Sequence, residues 1–534
     1  MNAQVQSKVV NLDAPIEGWD AFHSLDNMPS SAAVQLDNMI PYAGSVKTRD
    51  GYLVYADLGT GLPVDTVASF DDGFDSKLIA ASDGGLWDIT NAVQGNASEG
   101  VVEIIPAGTF FNNRWQSENF RKADEAGIMV MCNGVDNAQV YNGMGVRDLI
   151  DTNTVGTEFI GCVQYKGRMF YWKDDDNAFY YSQAGAYEGQ IEKYDLGAFA
   201  QLGGKLMIVA TWTQSDSGDG KDDFIVFIFS TGETLIYQGD DPDNLGYWEM
   251  VGRYFMAEPM SRRGYTNYGT DLIVITRDGY VNLSSIVQQG RSSDVPQFSR
   301  LIHNAIIKRT QNPTTFYGWD VELFAKRGLM LFNVPLSNGS TEQHVLSTVM
   351  MRWCRFTGWN VSCLETHDER LFAGSKDGRV FALMETSSDD GGPIYFTAMY
   401  AFQYLEAPGY QKQMVSAQVI STNQNPELIE ITGYADFQIP KPPNWVVPDS
   451  GIYAVWDSSY WGDATLDQEP GYDDPNTEED GDFWAFVSDA QTTKGWHNAY
   501  GFGYAVSLMI RFALVEESAE WRSTAIRYFV AGAH

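Results

Sequence analysis

The sequence predicts an all-β protein: a β-propeller of about seven blades, with six as the alternative, followed by a carboxy-terminal β-sandwich-like domain. Three observations carry this prediction. Short apolar runs separated by polar turns containing Gly or Asp read as β-hairpins. Those hairpins recur at intervals of roughly 30 to 50 residues, a spacing that suits propeller blades. A polar, Gly-containing run at 386–392, TSSDDGG, then interrupts the pattern before further strand-like runs begin.

The reference hairpin is HDERLFAGSKDGRVFAL, residues 367–383, where Asp377-Gly378 is expected to supply the positive backbone angles of a tight turn. Related copies are KLIAASDGGLWDI at 77–89 and DLIVITRDGYVNL at 271–283, with looser ones at 127–142, 167–182 and 223–238. One hairpin cannot bury its apolar face alone, so serial copies imply blades packed on one another. The expected blades are 65–90, 115–149, 158–191, 201–249, 264–289, 315–359 and 360–384 within a propeller domain of 36–386. Ring closure would remove the sheet edges that otherwise invite aggregation. The Trp87-Asp88 pair lacks a Gly-His partner and does not recur, a kelch signature of doubled glycines with spaced aromatics does not return from blade to blade, and the SDGGLW turn at 82–87 occurs once. These facts separate the chain from WD, kelch and sialidase repeats.

Before residue 36 the chain is polar, with Pro15 and Pro29, and reads as an extended arm, either a free end or one that packs on a neighbouring subunit. The carboxy-terminal domain, 393–534, opens with strand-like runs around a Pro408-Gly409 turn. It carries a tryptophan-rich acidic insertion at 438–496, with Trp445, Trp456, Trp461, Trp484 and Trp496, and an acidic loop at 467–482. Near its end, Val506, Leu508, Ile510 and Phe512 alternate with Ser507, Met509 and Arg511, the pattern of a half-buried strand.

Composition sets further bounds. Hydrophobic residues at 44% and aromatics at 13% supply a substantial core, while 70 acidic against 35 basic residues leave a formal charge of −35. That charge disfavours adhesive phosphate binding and is compatible with a wall that repels DNA. Cys132, Cys162, Cys354 and Cys363 show no CxxC spacing and read as buried thiols. The amino terminus lacks a basic segment followed by an apolar one, so no signal peptide is expected, and no apolar window is long enough to span a bilayer.

Motifs of catalysis are missing from the sequence: GxSxG, HExxH, the Walker GxxxxGK[ST], and GxGxxG between strand and helix. The six histidines form no i, i+4 pair, and His367 at a hairpin entrance reads as a turn residue. Asp216, Asp219, Asp222 and Asp223 could offer oxygen ligands, but their spacing departs from an EF-hand loop and the bidentate Glu is missing, so a solvated loop is expected. No catalytic, cofactor-binding or metal residue is assigned, and no cofactor is expected. Two other classes stay open: an adhesion propeller that stacks aromatic residues on a host glycan, and a propeller glycoside hydrolase with paired carboxylates in its channel.

The order of segments nevertheless resembles one family. LDNMIPYAGSVKTRDGY at 36–52, AFQYLEAPGYQKQMVSAQVI at 401–420, VWDSSYW at 455–461 and the Gly-rich entrance, strand, Glu-Trp and aromatic strand of 501–529 are similar in order to the nozzle proteins of short-tailed bacteriophages, also called tail hub or packaged-DNA stabilisation proteins. The resemblance implies a noncatalytic virion protein of the phage tail, assembled in the host cytoplasm as a ring-forming homo-oligomer, usually a hexamer. It also implies tail adaptor or head-to-tail connector proteins as neighbours, with tail fibres or tailspikes as further ones. Genomic DNA would pass through the ring's channel without specific binding.

Overall fold

Each expected hairpin forms part of an antiparallel sheet, the middle of a four-stranded one in every case but 271–283, whose second strand is an edge. The computed structural model describes residues 7–93, 96–122, 126–214, 223–244, 246–291, 293–311, 317–422, 429–439 and 495–530. Blades 1 to 4 are four-stranded sheets within 64–105, 116–148, 161–195 and 206–255. Blade 5 has three strands, Tyr265–Tyr268, Asp271–Thr276 and Gly279–Asn282, followed by the helices Leu283–Gln289 and His303–Thr310. Blade 6 holds four strands within 320–356, and blade 7 three strands within 361–386. The fourth strand of blade 7 is Gly51–Asp57, supplied from before blade 1. The innermost strand of blade 7, Val361–His367, lies against that of blade 1, Val64–Asp71, so the ring closes.

The apolar core is divided among the spaces between blades. Phe70 and Ile79 of blade 1 meet Trp115 and Met131 of blade 2, and Phe170 and Phe179 of blade 3 meet Phe227 and Trp248 of blade 4. Tyr55, Phe372 and Val380 of blade 7 pack with Val67 and Trp87 of blade 1. These layers are what a single hairpin could not bury for itself.

At Asp83-Gly84 both residues take positive φ, 45° and 71°, and the tight turn forms as the sequence predicts. At Asp377-Gly378 only Gly378 does so, at 88°. There the Ser375 hydroxyl accepts from the Arg379 N–H at 3.0 Å and shapes a longer loop. The two-residue positive-φ turn of that segment lies instead at Asp368-Glu369, φ 46° and 59°.

The second domain is a sandwich of two sheets. One contains His497–Gly503, Lys412–Thr422, Glu520–Val530, Ser45–Thr48 and Met39–Tyr42 in that order. The other is the blade 6 sheet itself, which runs on through Ala32–Asp37 to Ile394–Tyr400, Val506–Leu514 and Glu430–Ala435, nine strands in all with Gly18–Trp19. Propeller and sandwich therefore share one continuous sheet.

Two expectations need correction. The described part of the 1–35 arm folds onto its own chain: Lys8–Asp13 pairs along its length with Glu520–Val530, and Trp19 is buried. Residues 39–48, assigned to the propeller from sequence, likewise belong to the sandwich, and the first propeller strand is Gly51–Asp57. Local alternation shows that a segment is a strand but not which partner, here almost 500 residues away, it joins. The Val506–Leu514 strand is buried at every position rather than on one face. Met509 packs with Met399, Phe402 and Tyr434 on the second face, and Arg511 is neutralised there by Glu430 at 2.7 Å.

Candidate functional site

Residues of the 36–52 segment, the first of those that carry the family resemblance, lie at the junction between the two domains. Asn38 sits at φ 61°, and its amide donates to the Tyr395 carbonyl at 2.7 Å while its Oδ1 accepts from the Thr357 N–H at 2.8 Å. The Arg49 side chain is fully buried. Its Nε donates to Asn38 Oδ1 at 2.9 Å, and its two terminal nitrogens grip Asp389 at 2.8 and 2.7 Å. The same nitrogens also reach the carbonyls of Asp50 and Thr357 at 3.0 and 3.1 Å, and the guanidinium lies 4.6 Å from the centre of the Trp359 ring. One arginine thus binds the opening segment, blade 6 and the 386–392 connector. The polar 386–392 run between the two domains is thereby clasped at Asp389.

Packing closes the rest of the joint. A Cβ on Gly51 would stand 2.0 Å from the Ser388 carbonyl oxygen, so only glycine allows this approach. Tyr52 stacks on Phe381 with ring centres 4.4 Å apart. Beside Arg49, Arg355 grips Asp37 through two contacts of 2.8 Å. A polar cleft of ≈470 Å3 runs along the junction, bridged by Arg327–Asp50 at 2.9 Å and Lys47–Glu520 at 3.7 Å.

The propeller axis is the second candidate site. At the end where the blade tips lie, Arg263 of the blade 5 approach reaches across to blades 1 and 2. It donates to the Asp65 carbonyl at 2.9 Å, to Thr66 Oγ1 at 2.6 Å and to the Trp115 carbonyl. The Tyr317 hydroxyl donates to the Asp65 carbonyl, and Gln116 Nε2 donates to the Arg262 carbonyl at 3.0 Å. These bonds form a brace across the axis.

Below the brace lies a cavity of ≈300 Å3 lined by Ser117, Glu118, Thr266, Asn267, Glu322 and Glu365. Its carboxylates link neighbouring blades: Glu365 accepts from the Ser69 N–H, Glu322 from the Thr366 N–H and Asp320 from the Leu364 N–H, each at 3.1 Å. Burial pushes the carboxyls of Glu118 and Glu322 up to about 7. Glu365 is raised too, by burial first and then by the charge of Glu322.

His367, expected to be a turn residue, is instead the last residue of the innermost strand of blade 7, buried and paired across from Arg370, and the turn is Asp368-Glu369. Its Nδ1 lies 2.8 Å from Ser69 Oγ and its Nε2 3.5 Å from Asp368. All four cysteines are buried and unpaired. Among the described residues no group of three or more His, Cys, Asp or Glu is arranged to hold a metal ion. Asp216, Asp219 and Asp222 lie outside the described residues, and Asp223 accepts from Thr213 Oγ1 at 2.8 Å. Trp445, Trp456, Trp461, Trp484 and the 467–482 loop also lie outside them, while Trp496 carries Arg527 at 4.4 Å from its ring centre.

Sequence reasoning missed the axial residues. Arg263 has no local signal, because its partners belong to blades about 150 to 200 residues upstream. Glu322 offered a faint one, a carboxylate inside the otherwise apolar run Val321, Leu323, Phe324.

No family model matches the sequence, and no curated protein matches it. Solved structures similar to it include BBS1N in complex with ARL6DN, 11% identical with a TM-score of 0.35 over 64% of this chain and 99% of that one. YCF48 from Cyanidioschyzon merolae is 12% identical with a TM-score of 0.37 over 62% and 98%, respectively. Chaetomium thermophilum Raptor is 12% identical with a TM-score of 0.35 over 63% and 30%. The β-propeller assignment stands on the sheet topology itself.

Proposed function

We propose that this chain is a noncatalytic structural protein of a short-tailed phage tail, a nozzle subunit that forms a ring around the DNA channel with further copies of itself. The observation that carries the reading is the joint. Asn38 and Arg49 of the family-like opening segment bind it to blade 6 and to the connector between propeller and sandwich, and Gly51 packs on that connector at Ser388. A subunit whose two domains share a sheet and a buried arginine clamp is suited to bearing load without flexing at the junction. The brace of Arg263 and Tyr317 and the small size of the axial cavity leave no room for duplex DNA along the propeller axis, so in this reading the DNA path runs between subunits. A charge of −35 lets such a path repel phosphates, so that DNA slides without adhering. In this reading the adaptor proteins of the tail are the ring's neighbours, and the ring retains the genome until ejection.

The test is electron cryomicroscopy of the purified protein and of the particle that encodes it. A ring of this chain at the distal end of a tail, with a bore wide enough for duplex DNA, is the expected result. A chain that stays monomeric at high concentration and is missing from the particle would refute the proposal.

A glycoside hydrolase is the second reading, favoured by Glu322 and Glu365 on neighbouring blades facing one cavity. Against it, both carboxylates already accept backbone N–H groups that bind blade to blade. Hydrolysis of any polysaccharide in a panel, abolished by Glu365→Gln, would select this reading over the nozzle.

A further inference from the structure

We propose that the outer face of the sandwich sheet containing His497–Gly503 docks on a second copy of this chain, with Trp496, Tyr500, Phe502 and Arg527 as its anchors. Along that edge strand, burial alternates. Ala499 is fully buried, whereas Tyr500 and Phe502 are 68% and 55% exposed and Trp496 is 39% exposed. Strand register carries the face across the sheet. Asn498, Ser416, Arg527 and Val9 form one row over four strands, and Phe502, Gln413 and Phe529 form the next. Met414, Ile526 and Tyr528, which alternate with them, are the residues buried in the sandwich core. The Arg527 guanidinium lies 4.4 Å from the centre of the Trp496 ring, so the cation and the aromatic strip share one side of the sheet.

Charge is sparse on this face. Two further rows, through Ala525 and Ser523, complete it, and over all four rows Arg527 and Asp13 are the only charged residues. They cancel. The chain as a whole carries 70 acidic against 35 basic residues, a formal charge of −35. Two copies therefore repel wherever their surfaces hold the average acidic excess, and they approach at least cost where the local charge sums to zero. The same count sets nucleic acid aside, because one arginine over four strands offers little to a row of phosphates.

Composition and size fit a protein partner. The cores of protein interfaces are depleted in charge and enriched in aromatic residues and Arg, and Trp, Tyr and Arg supply most of their binding energy. Strands about 4.8 Å apart, with about 3.3 Å per residue, make the four rows a flat patch of about 450 Å². That is the core of a contact in which each partner gives about 800 Å². Tyr504 and Tyr404 extend it at the end of the sheet, where Lys412 Nζ donates to the Tyr504 carbonyl at 2.6 Å and lies 5.6 Å from the Tyr404 ring centre. The inference rests on the proposed ring for one point, that the partner is an identical subunit.

The experiment has two arms, both on the full chain. In the first, Tyr500 is replaced by the photoreactive p-benzoylphenylalanine, and an equal mixture of unlabelled and nitrogen-15-labelled chains is irradiated and read by mass spectrometry. Crosslinks between light and heavy chains are expected. In the second, sedimentation velocity compares the native chain with the double variant Tyr500→Asp, Phe502→Asp, which should raise the dissociation constant of self-association by about tenfold or more without moving the melting temperature. Because the first arm changes a single exposed side chain, it decides the question even if the double variant is destabilised. Crosslinks confined to one chain, self-association that the double variant leaves unchanged, a chain that stays monomeric at its highest soluble concentration, or a glycan that binds the native chain and not the double variant would each overturn the proposal. A ring in the particle whose subunits meet elsewhere overturns this face and leaves the nozzle reading standing; that reading falls only when the chain is missing from the particle as well.

Discussion

Arg49 offers the most direct test of how the two domains are held. Its guanidinium serves four groups besides the Trp359 ring: Asn38, Asp389 and the carbonyls of Asp50 and Thr357. The side chain is completely buried and Asp389 is only 14% exposed. Truncation to alanine leaves a carboxylate and two carbonyls without their donor, and removing one member of a buried pair typically costs about 3–5 kcal/mol. Arg49→Lys keeps the charge but loses the fork, and should recover less than half of that loss, about 1–2 kcal/mol. The double variant Arg49→Met, Asp389→Leu removes both charges and should be more stable than Arg49→Ala by about 2 kcal/mol, since no unpaired ion remains.

Urea denaturation of the four proteins, followed by tryptophan fluorescence and circular dichroism, measures these differences. Trp359 beside the guanidinium reports the joint, and circular dichroism reports the strands of both domains. Arg49→Ala should separate one transition into two as the sandwich unfolds ahead of the propeller. A loss below about 1 kcal/mol with a single coincident transition would refute the claim that this clamp couples the domains.

Further expectations follow from the same contacts. Gly51→Ala forces a Cβ against the Ser388 carbonyl and should cost about 2–3 kcal/mol, read as a lower urea midpoint. Glu118 and Glu322 carry folded-state values of about 7 against 4.5 unfolded, because burial disfavours their charged form. Their stabilisation is therefore complete below about pH 4.5 and is lost as pH rises to about 7, by about 1–2 kcal/mol each once solvent contact at the cavity wall is counted. Melting temperatures should fall over that window, and Glu118→Gln with Glu322→Gln should flatten the fall. Arg263→Met removes the axial brace and three charge-assisted bonds, and should lower the melting temperature while speeding amide exchange in the innermost strands of blades 1 and 2.

The expectations that held are those written in adjacent residues. The hairpins at 77–89, 271–283 and 367–383 appear where alternation and turn chemistry place them, because strand pairing across a short turn depends on neighbours in the chain. The expectations that failed concern partners. Lys8–Asp13 looked like an arm because its own residues do not reveal Glu520–Val530 as the strand beside it. Val506–Leu514 looked half-buried because alternation cannot show that Met399 and Tyr434 cover the second face.

The sequence by itself determined the class of the fold, the repeated unit and the acidic character of the surface, since each depends on composition or on order over a few residues, while it left the blade count at seven or six. Only the tertiary structure decided that the chain's opening segment closes blade 7 and enters the sandwich, that Arg49 clasps Asp389 and that Arg263 spans the axis. These contacts join residues some 150 to 520 positions apart. Their energy comes from removing charges and apolar faces from water together, and a reading of local pattern contains no term for which distant group arrives to share that burial.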